Sequence, residues 1–147
     1  MKLEITNGSL MAIMEYLPKL RLQGRVNRGR QKLLNKVAEK FKEYYSDFNE
    51  IKSEHPDDKE KQNELFTELN KEKSVLDMTE YENFMPQLYN TMLDYPHEID
   101  TYSEPGKPSD ALVHDLIIDV LEQAVETNED SVDETQNTEE TKLMEVE

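Results

Sequence analysis

Six apolar residues recur at alternating intervals of three and four between residues 34 and 51, and no other feature constrains the fold of this chain as strongly. Such spacing forms one stripe along an α-helix, as in a coiled coil, and a second helix normally covers it. We predict a long helix that begins between Val26 and Gln31 and ends near Glu54. The stripe serves either as internal packing or as an interface with another chain. Its residues, here called the seam, are Leu34, Val37, Phe41, Tyr44, Phe48 and Ile51.

The segment after the long helix predicts an antiparallel helical hairpin. Pro56 disfavours helical angles in the residue before it, and Asp57 or Asp58 can cap a new helix. A more polar helix then follows over residues 59–73, with a thin apolar face. A short connection between two helices favours antiparallel packing, so this face is expected to lie against the seam.

Short strands and further helices are predicted around the hairpin. Residues 1–6 alternate in polarity, as a strand does, and residues 74–78 are a candidate second strand that would pair with it. Capping residues and helical spacing predict helices over 9–17 and 80–93, where Pro86 either kinks the helix or marks its first turn, and a last helix capped by Ser109. The fold class is therefore mainly α (α+β), with a central long helical hairpin, further helices and up to two short strands.

The end of the chain differs from the rest in composition. Residues 127–147 carry eight acids and one lysine, with few apolar residues before Leu143. A segment of this kind cannot offset its ordering entropy, so we predict a folded helical domain over 1–126 and a disordered acidic tail over 127–147. The tail acts as a solubilising end, as a mimic of nucleic-acid charge or as a linear motif that docks on a basic surface.

A basic segment contrasts with the formal net charge of −16. Residues 19–42 hold nine Lys or Arg and one Glu. Residues 19–30 of this segment contain Gly24 and Gly29, and we predict that they form a connector before the long helix. On a helix, part of the segment would form a ridge able to contact phosphates, or one that pairs with the acidic body or stays solvated. The candidate stripe consists of Arg25, Arg28, Arg30, Lys32 and Lys36.

Motifs for catalysis and cofactor binding are missing from the sequence. No cysteine occurs, and no phosphate-binding glycine loop, nucleophile elbow or Ca²⁺-binding loop is found. Asp110 and His114 share a helix face, but no third metal ligand stands at motif spacing, so His114 is interpreted as a surface histidine. We expect no enzyme activity and no cofactor. No apolar run is long enough for a bilayer and no leader pattern occurs, which predicts a cytoplasmic protein.

The first hundred residues resemble, in patches, a family of uncharacterised small proteins from tailed phages and prophages of Gram-positive bacteria. The resemblance covers the strand Leu3-Glu4-Ile5-Thr6-Asn7-Gly8, the stretch Leu22, Gly24, Arg28 and Arg30, and the runs Val75-Leu76-Asp77-Met78 and Glu80-Tyr81-Glu82. It implies a phage protein made in the cytosol of a bacterial host during infection. It carries over no catalytic residue.

Four functional hypotheses follow from these patterns. The first is a non-enzymatic phage accessory protein that binds a host or viral protein, as an assembly helper or as an inhibitor of host machinery. The second is a nucleic-acid-binding protein that uses the basic segment. The third is an acidic DNA mimic that inhibits a host defence nuclease. The fourth is a metal-dependent hydrolase at Asp110 and His114.

Overall fold

A computed structural model describes residues 1–95 and 107–126 of the chain. Within these ranges it contains five α-helices and one two-stranded antiparallel sheet, which confirms the mainly α (α+β) fold. The elements are β1 (Lys2–Thr6), α1 (Leu10–Tyr16), α2 (Gly24–Glu54), α3 (Lys59–Lys71), β2 (Lys73–Asp77), α4 (Met85–Asp94) and α5 (residues 110–126). Single 3-10 segments cover Asn7–Ser9, Leu17–Lys19 and Thr79–Phe84.

The two predicted strands pair with each other, and the pairing fixes the base of the hairpin. Leu3 lies opposite Leu76, and Ile5 lies opposite Ser74. The alternation of exposed and buried residues along β1 directs Leu3 and Ile5 into the core. One residue, Glu72, separates α3 from β2, and its carbonyl accepts the backbone N–H of Asn7 at 2.9 Å.

Asn7 is a buried polar side chain that holds three elements together. Its Nδ2 donates to the Leu69 carbonyl of α3 at 3.0 Å, and its Oδ1 accepts from the Ser74 hydroxyl of β2. A buried amide costs free energy unless it is hydrogen-bonded, and both polar atoms of Asn7 have partners. The Asn7 side chain therefore joins the end of β1 to the end of α3 and the start of β2.

The core lies between the sheet, α1, the first half of α2, α4 and α5. Each of the shorter helices contributes buried residues at spacings of three and four, as an amphipathic helix does. These residues are Leu10, Ile13, Met85, Leu88, Met92, Val113, Ile117 and Leu121. Pro86 stands in the first turn of α4, which is one of the two roles predicted for it, so α4 begins at Met85 and not near residue 80. The Ser109 hydroxyl accepts the Leu112 N–H at 3.3 Å, which confirms the predicted cap of the last helix.

The start of α2 corrects the prediction of a basic connector. Residues 24–30 are helical, and α2 begins at Gly24, whose φ is +61°. A Cβ at Gly29 would lie 3.0 Å from Cβ of Phe84, so the absence of a side chain lets α2 approach the segment Thr79–Phe84 closely. Gly24 and Gly29 both have low helix propensity, but Gly24 forms the start of α2 and Gly29 allows close packing.

The predicted hairpin is formed by α2 and α3. Asp58 caps α3, and its carboxylate accepts the Lys61 N–H at 3.1 Å. Within the described ranges, no helix is both long and apolar enough to cross a membrane. Residues 96–106 and the whole predicted acidic tail lie outside the described residues, so the division at residue 126 stays a prediction.

Candidate protein-binding surface

The long helix α2 leaves the core halfway along its length. Its buried residues are Gly29, Leu33 and Val37, and α2 has none beyond Val37. From there the helix is covered on one side by α3, whose one buried residue, Leu69, lies near the base of the hairpin. Residues 41–66, here called the arm, therefore form a two-helix projection whose apolar side chains are half-buried or exposed.

The seam divides between the core and the arm. Val37 is buried, and Leu34, Phe41 and Tyr44 pack against the core as half-buried side chains. The Tyr44 hydroxyl donates to Asn70 of α3. Phe48 stacks on Phe66 with ring centroids 4.1 Å apart. These contacts show that much of the seam closes α2 against the core and α3, while Ile51 stays half-buried near the tip.

The flank of the seam carries a continuous row of aromatic rings. Tyr45 lies between Phe41 and Phe48, with centroid distances of 6.1 and 6.5 Å and interplanar angles of 28° and 17°. The side chain of Tyr45 is 54% exposed, whereas those of Phe41 and Phe48 are half-buried. With Phe66 at its end, this row is here called the aromatic ladder.

The ladder is bordered by positive charge. The Lys52 ammonium lies 4.7 Å from the centre of the Phe48 ring, at cation–π distance. Lys42 is exposed one residue after Phe41. Large exposed apolar residues elsewhere in the described ranges stand on four separate elements: Met11 on α1, Val75 on β2, Leu93 on α4 and Leu112 on α5.

The predicted basic stripe is split by the fold. Arg30 turns inward, where its Nη1 donates to the Leu17 carbonyl at 3.2 Å and its Nε donates to Asn27 at 2.9 Å. Arg25 and Lys32 lie over the rings of Phe84 and Tyr81, at 4.9 and 5.2 Å from the ring centres. The remaining two members are Arg28, which is exposed, and Lys36, which is half-buried.

His114 is buried, and the prediction of a surface histidine is wrong. Its exposure is 0%, and its Nε2 lies 2.8 Å from the Met92 carbonyl oxygen. Since a carbonyl only accepts, Nε2 carries the proton and Nδ1 accepts the Tyr16 hydroxyl at 2.7 Å. The Tyr95 ring packs on the imidazole with centroids 5.7 Å apart. Hydrogen-bond partners from α1 and α4 make the burial of this polar ring tolerable.

The Tyr16 hydroxyl is strongly biased towards its protonated form. Burial raises the pKa of Tyr16 to about 12, and electrostatic interactions with Asp110, Tyr95 and Asp115 add to the rise. A protonated hydroxyl is the form that donates to Nδ1 of His114. The Tyr16 hydroxyl therefore keeps its proton, and with it its role as the donor of this bond, into alkaline solution.

The two candidate metal ligands are already engaged in structural contacts. Asp110 pairs with Lys19 at 3.1 Å, and His114 is engaged as described above. Within residues 1–95 and 107–126, no cluster of three or more His, Cys, Asp or Glu is arranged to hold a metal ion.

A shallow cavity of about 410 Å³ lies between the sheet and α5. Its Glu4 carboxylate pairs with Lys73 at 3.5 Å. The Gln123 side chain bonds both backbone polar atoms of Glu4, at 3.0 and 3.1 Å. These side chains tie α5 to β1, and no histidine is among the described residues that line the cavity.

The sequence predicted only part of the aromatic ladder. Phe41 and Phe48 belong to the predicted seam, but Tyr45 does not, although it lies four residues after Phe41 and widens the same stripe. Comparison of this chain with protein-family models, with curated proteins and with solved structures gives no match, so its partner has to be argued from its own surface.

Proposed function

We propose that this chain is a non-catalytic protein-binding module whose contact surface is the aromatic ladder of the arm. The observation that carries the proposal is Tyr45, a large ring that is more than half exposed and that stacks between two other rings. Aromatic residues are enriched in protein interfaces and dominate their binding energy.

The stacked arrangement favours binding because the rings are already ordered. Immobilising a flexible side chain at an interface costs about 0.5–1.5 kcal/mol, and Tyr45 gives up less freedom because Phe41 and Phe48 restrict it beforehand. The arm also projects from the core, so a groove or a flat surface of a partner can reach the ladder. Lys42 and Lys52 beside it suit a partner with carboxylates around an apolar centre.

The biological setting rests on the resemblance to small proteins of tailed phages and prophages. We propose an accessory role in the cytosol of an infected Gram-positive bacterium, through a host or viral protein. The nucleic-acid hypothesis has weaker support, since Arg30 is turned inward and two further members of the stripe lie over aromatic rings. Arg28 and Lys36 alone would give a small number of phosphate contacts and weak binding.

The proposal is tested by capture with matched variants. The full-length protein, Tyr45→Ala and Leu93→Ala serve as baits in lysate of infected cells, and the captured protein is then titrated in purified form. Tyr45 and Leu93 are both more than half exposed, but they lie on different helices. We expect Tyr45→Ala to weaken binding by at least about tenfold, as loss of an interface hot spot does, and Leu93→Ala to leave it unchanged.

The result that contradicts the proposal is equal binding by the wild type and Tyr45→Ala. Recovery of nucleic acid by all three baits, with no shared protein, would instead favour the basic residues. In that case binding would weaken as salt is raised and would be lost in a variant with both Arg28 and Lys36 replaced.

A further inference from the structure

Asn7 and Gly8 form a dipeptide that is prone to deamidation. The backbone nitrogen of the residue after an asparagine can attack the side-chain Cγ. It does so most readily when that residue is glycine, because no Cβ shields the nitrogen and the backbone is least restricted. Each of the other asparagines in the sequence precedes a residue that has a side chain. Asn7 is therefore the position at which this reaction is fastest once the backbone is free to move.

The reaction exchanges one bond for another and consumes only water. The Gly8 N–H gives its proton to solvent base, the nitrogen forms a bond to Cγ of Asn7, and the side-chain amide leaves as ammonia. Water then opens the resulting cyclic imide at either of its two carbonyl groups. Opening at one carbonyl gives aspartate. Opening at the other gives isoaspartate, in which the main chain runs through Cγ.

The fold opposes this attack at Asn7. Its N–H donates to the Glu72 carbonyl at 2.9 Å, and its carbonyl accepts the Leu10 N–H. Its side chain donates to the Leu69 carbonyl at 3.0 Å and accepts the Ser74 hydroxyl. Rotation of the side chain towards the next backbone nitrogen breaks both side-chain bonds. The residue is 7% exposed, so it is also shielded from the water that completes the reaction.

Neither product fits the site that Asn7 occupies. An aspartate at position 7 is deprotonated at neutral pH and only accepts hydrogen bonds, so it cannot replace the bond that Nδ2 donates to the Leu69 carbonyl. It would also bring a charge to a position where a neutral amide is buried. Isoaspartate lengthens the main chain by one carbon at the end of β1, which displaces β1 relative to α1.

The backbone does not require glycine at position 8. The φ of Gly8 lies outside the left-handed region. A Cβ there would lie 3.4 Å from the carbonyl oxygen and 3.5 Å from Cβ of Asn70, which are ordinary contact distances. Gly8→Ala is therefore expected to fold as the wild type does. Because alanine slows the attack, this variant separates the chemistry of the dipeptide from the stability of the fold.

We propose that Asn7 is a modification site that is protected in the folded protein and reacts when the junction of β1, α3 and β2 opens. The modification is hydrolytic deamidation, with water as the co-reactant. Refolding does not reverse it, so each event removes one chain from the population that can regain the native junction. The folded protein opens only for a small fraction of the time and is long-lived, whereas a chain that stays unfolded is lost.

The test compares the rate of deamidation in folded and in unfolded full-length protein. The wild type and Gly8→Ala are incubated in mildly alkaline buffer, with and without a denaturing concentration of guanidinium chloride, and are then digested with trypsin. Cleavage after Lys2 and after Lys19 releases a peptide in which Asn7 is the sole asparagine and no glutamine occurs. The increase in mass of this peptide therefore reports the site alone, and chromatography separates the aspartate and isoaspartate forms.

We expect the unfolded wild type to give a mixture of both products. The folded wild type should react at least about tenfold more slowly, because only its open fraction reacts. Unfolded Gly8→Ala should also react at least about tenfold more slowly than the unfolded wild type, because of the added side chain. Equal rates in folded and unfolded wild type, or in the two unfolded proteins, would overturn the proposal.

A second set of variants tests the role of the junction. Ser74→Ala removes the hydroxyl that bonds Oδ1 of Asn7, so this folded variant should react faster than the folded wild type. Thr91→Ala is the control, since its hydroxyl bonds the Gln87 carbonyl within α4. Asn7→Asp reproduces one product, and its midpoint of unfolding in guanidinium chloride should fall, or its folded state should be lost. An unchanged midpoint, or equal rates in Ser74→Ala and Thr91→Ala, would contradict the proposal.

Discussion

The Tyr16 hydroxyl donates to Nδ1 of His114 across 2.7 Å inside the core, and the two residues are 98 positions apart in the sequence. This bond joins α1 to α5. The second ring nitrogen of His114 holds the last turn of α4 through the Met92 carbonyl. One imidazole therefore connects three helices that are distant in the chain.

Loss of the Tyr16 hydroxyl should destabilise the protein. Tyr16→Phe leaves Nδ1 of His114 buried without a donor, and such a group costs about 1–3 kcal/mol. Urea denaturation followed by circular dichroism measures the change in the free energy of unfolding. The control is Tyr89→Phe, a half-buried tyrosine whose hydroxyl has no hydrogen bond within the described residues, for which we expect less than about 0.5 kcal/mol. Equal effects of the two variants would contradict a structural role for the pair.

The same pair predicts a loss of stability in alkaline solution. The pKa of Tyr16 is about 12 in the folded protein, against 10.0 for an ordinary tyrosine. Above pH 10 the unfolded chain releases this proton more readily than the folded chain, so the contribution of Tyr16 is complete below pH 10 and is lost as pH rises towards 12. The difference in unfolding free energy between the wild type and Tyr16→Phe should shrink across this interval. A constant difference would contradict the prediction.

Gly29 should not tolerate a side chain. A Cβ at this position lies 3.0 Å from Cβ of Phe84, so Gly29→Ala forces α2 away from the segment Thr79–Phe84. Overpacking costs about 1–3 kcal/mol, and this exceeds the ~1 kcal/mol that alanine gains over glycine in a helix. The thermal midpoint of the variant should fall. In the background of Phe84→Gly, which removes this Cβ, the same substitution should become less harmful, and a double-mutant cycle measures the coupling.

Asn7 should control how firmly the arm is held by the sheet. Asn7→Ala removes the bond to the Leu69 carbonyl and the bond from Ser74, and it leaves the buried carbonyl without this donor. We expect the free energy of unfolding to fall by about 1–3 kcal/mol. Hydrogen exchange of amides in β2 and in the last turn of α3 should accelerate more than that of amides in α5. Uniform acceleration along the chain would show a global effect instead.

Local signals in the sequence predicted much of the fold. The seam predicted α2, and Pro56 predicted that it ends near Glu54. Asp58, one of two candidate caps, and Ser109 start helices through their capping oxygens, and Pro86 takes the first-turn role that was one of its two alternatives. Each of these features depends on residues within a few positions of each other, where propensity and spacing are informative. The first strand was predicted from its alternation and the second from the apolar residues Val75 and Leu76, and the two strands pair with each other.

Features that depend on distant residues could not be predicted in this way. Gly29 reads as a helix breaker until Phe84, 55 residues later, is seen against it. His114 stands beside Asp115 and four residues after Asp110 in the sequence, and only the fold supplies Tyr16 and the Met92 carbonyl. Tyr45 was not predicted to be a surface residue. The spacing of the seam identifies the side of α2 that another helix covers, but it does not show how far along the flank α3 extends.

The single residue between α3 and β2 has a consequence for how the arm can move. A rotation or a slide of α3 would pull β2 past β1, and a shift of one residue would turn Leu76 from the core towards solvent. The sheet therefore fixes the orientation of the arm relative to the core. A partner that binds the tip meets a rigid extension of the fold, and a displacement of the tip is transmitted through β2 to β1.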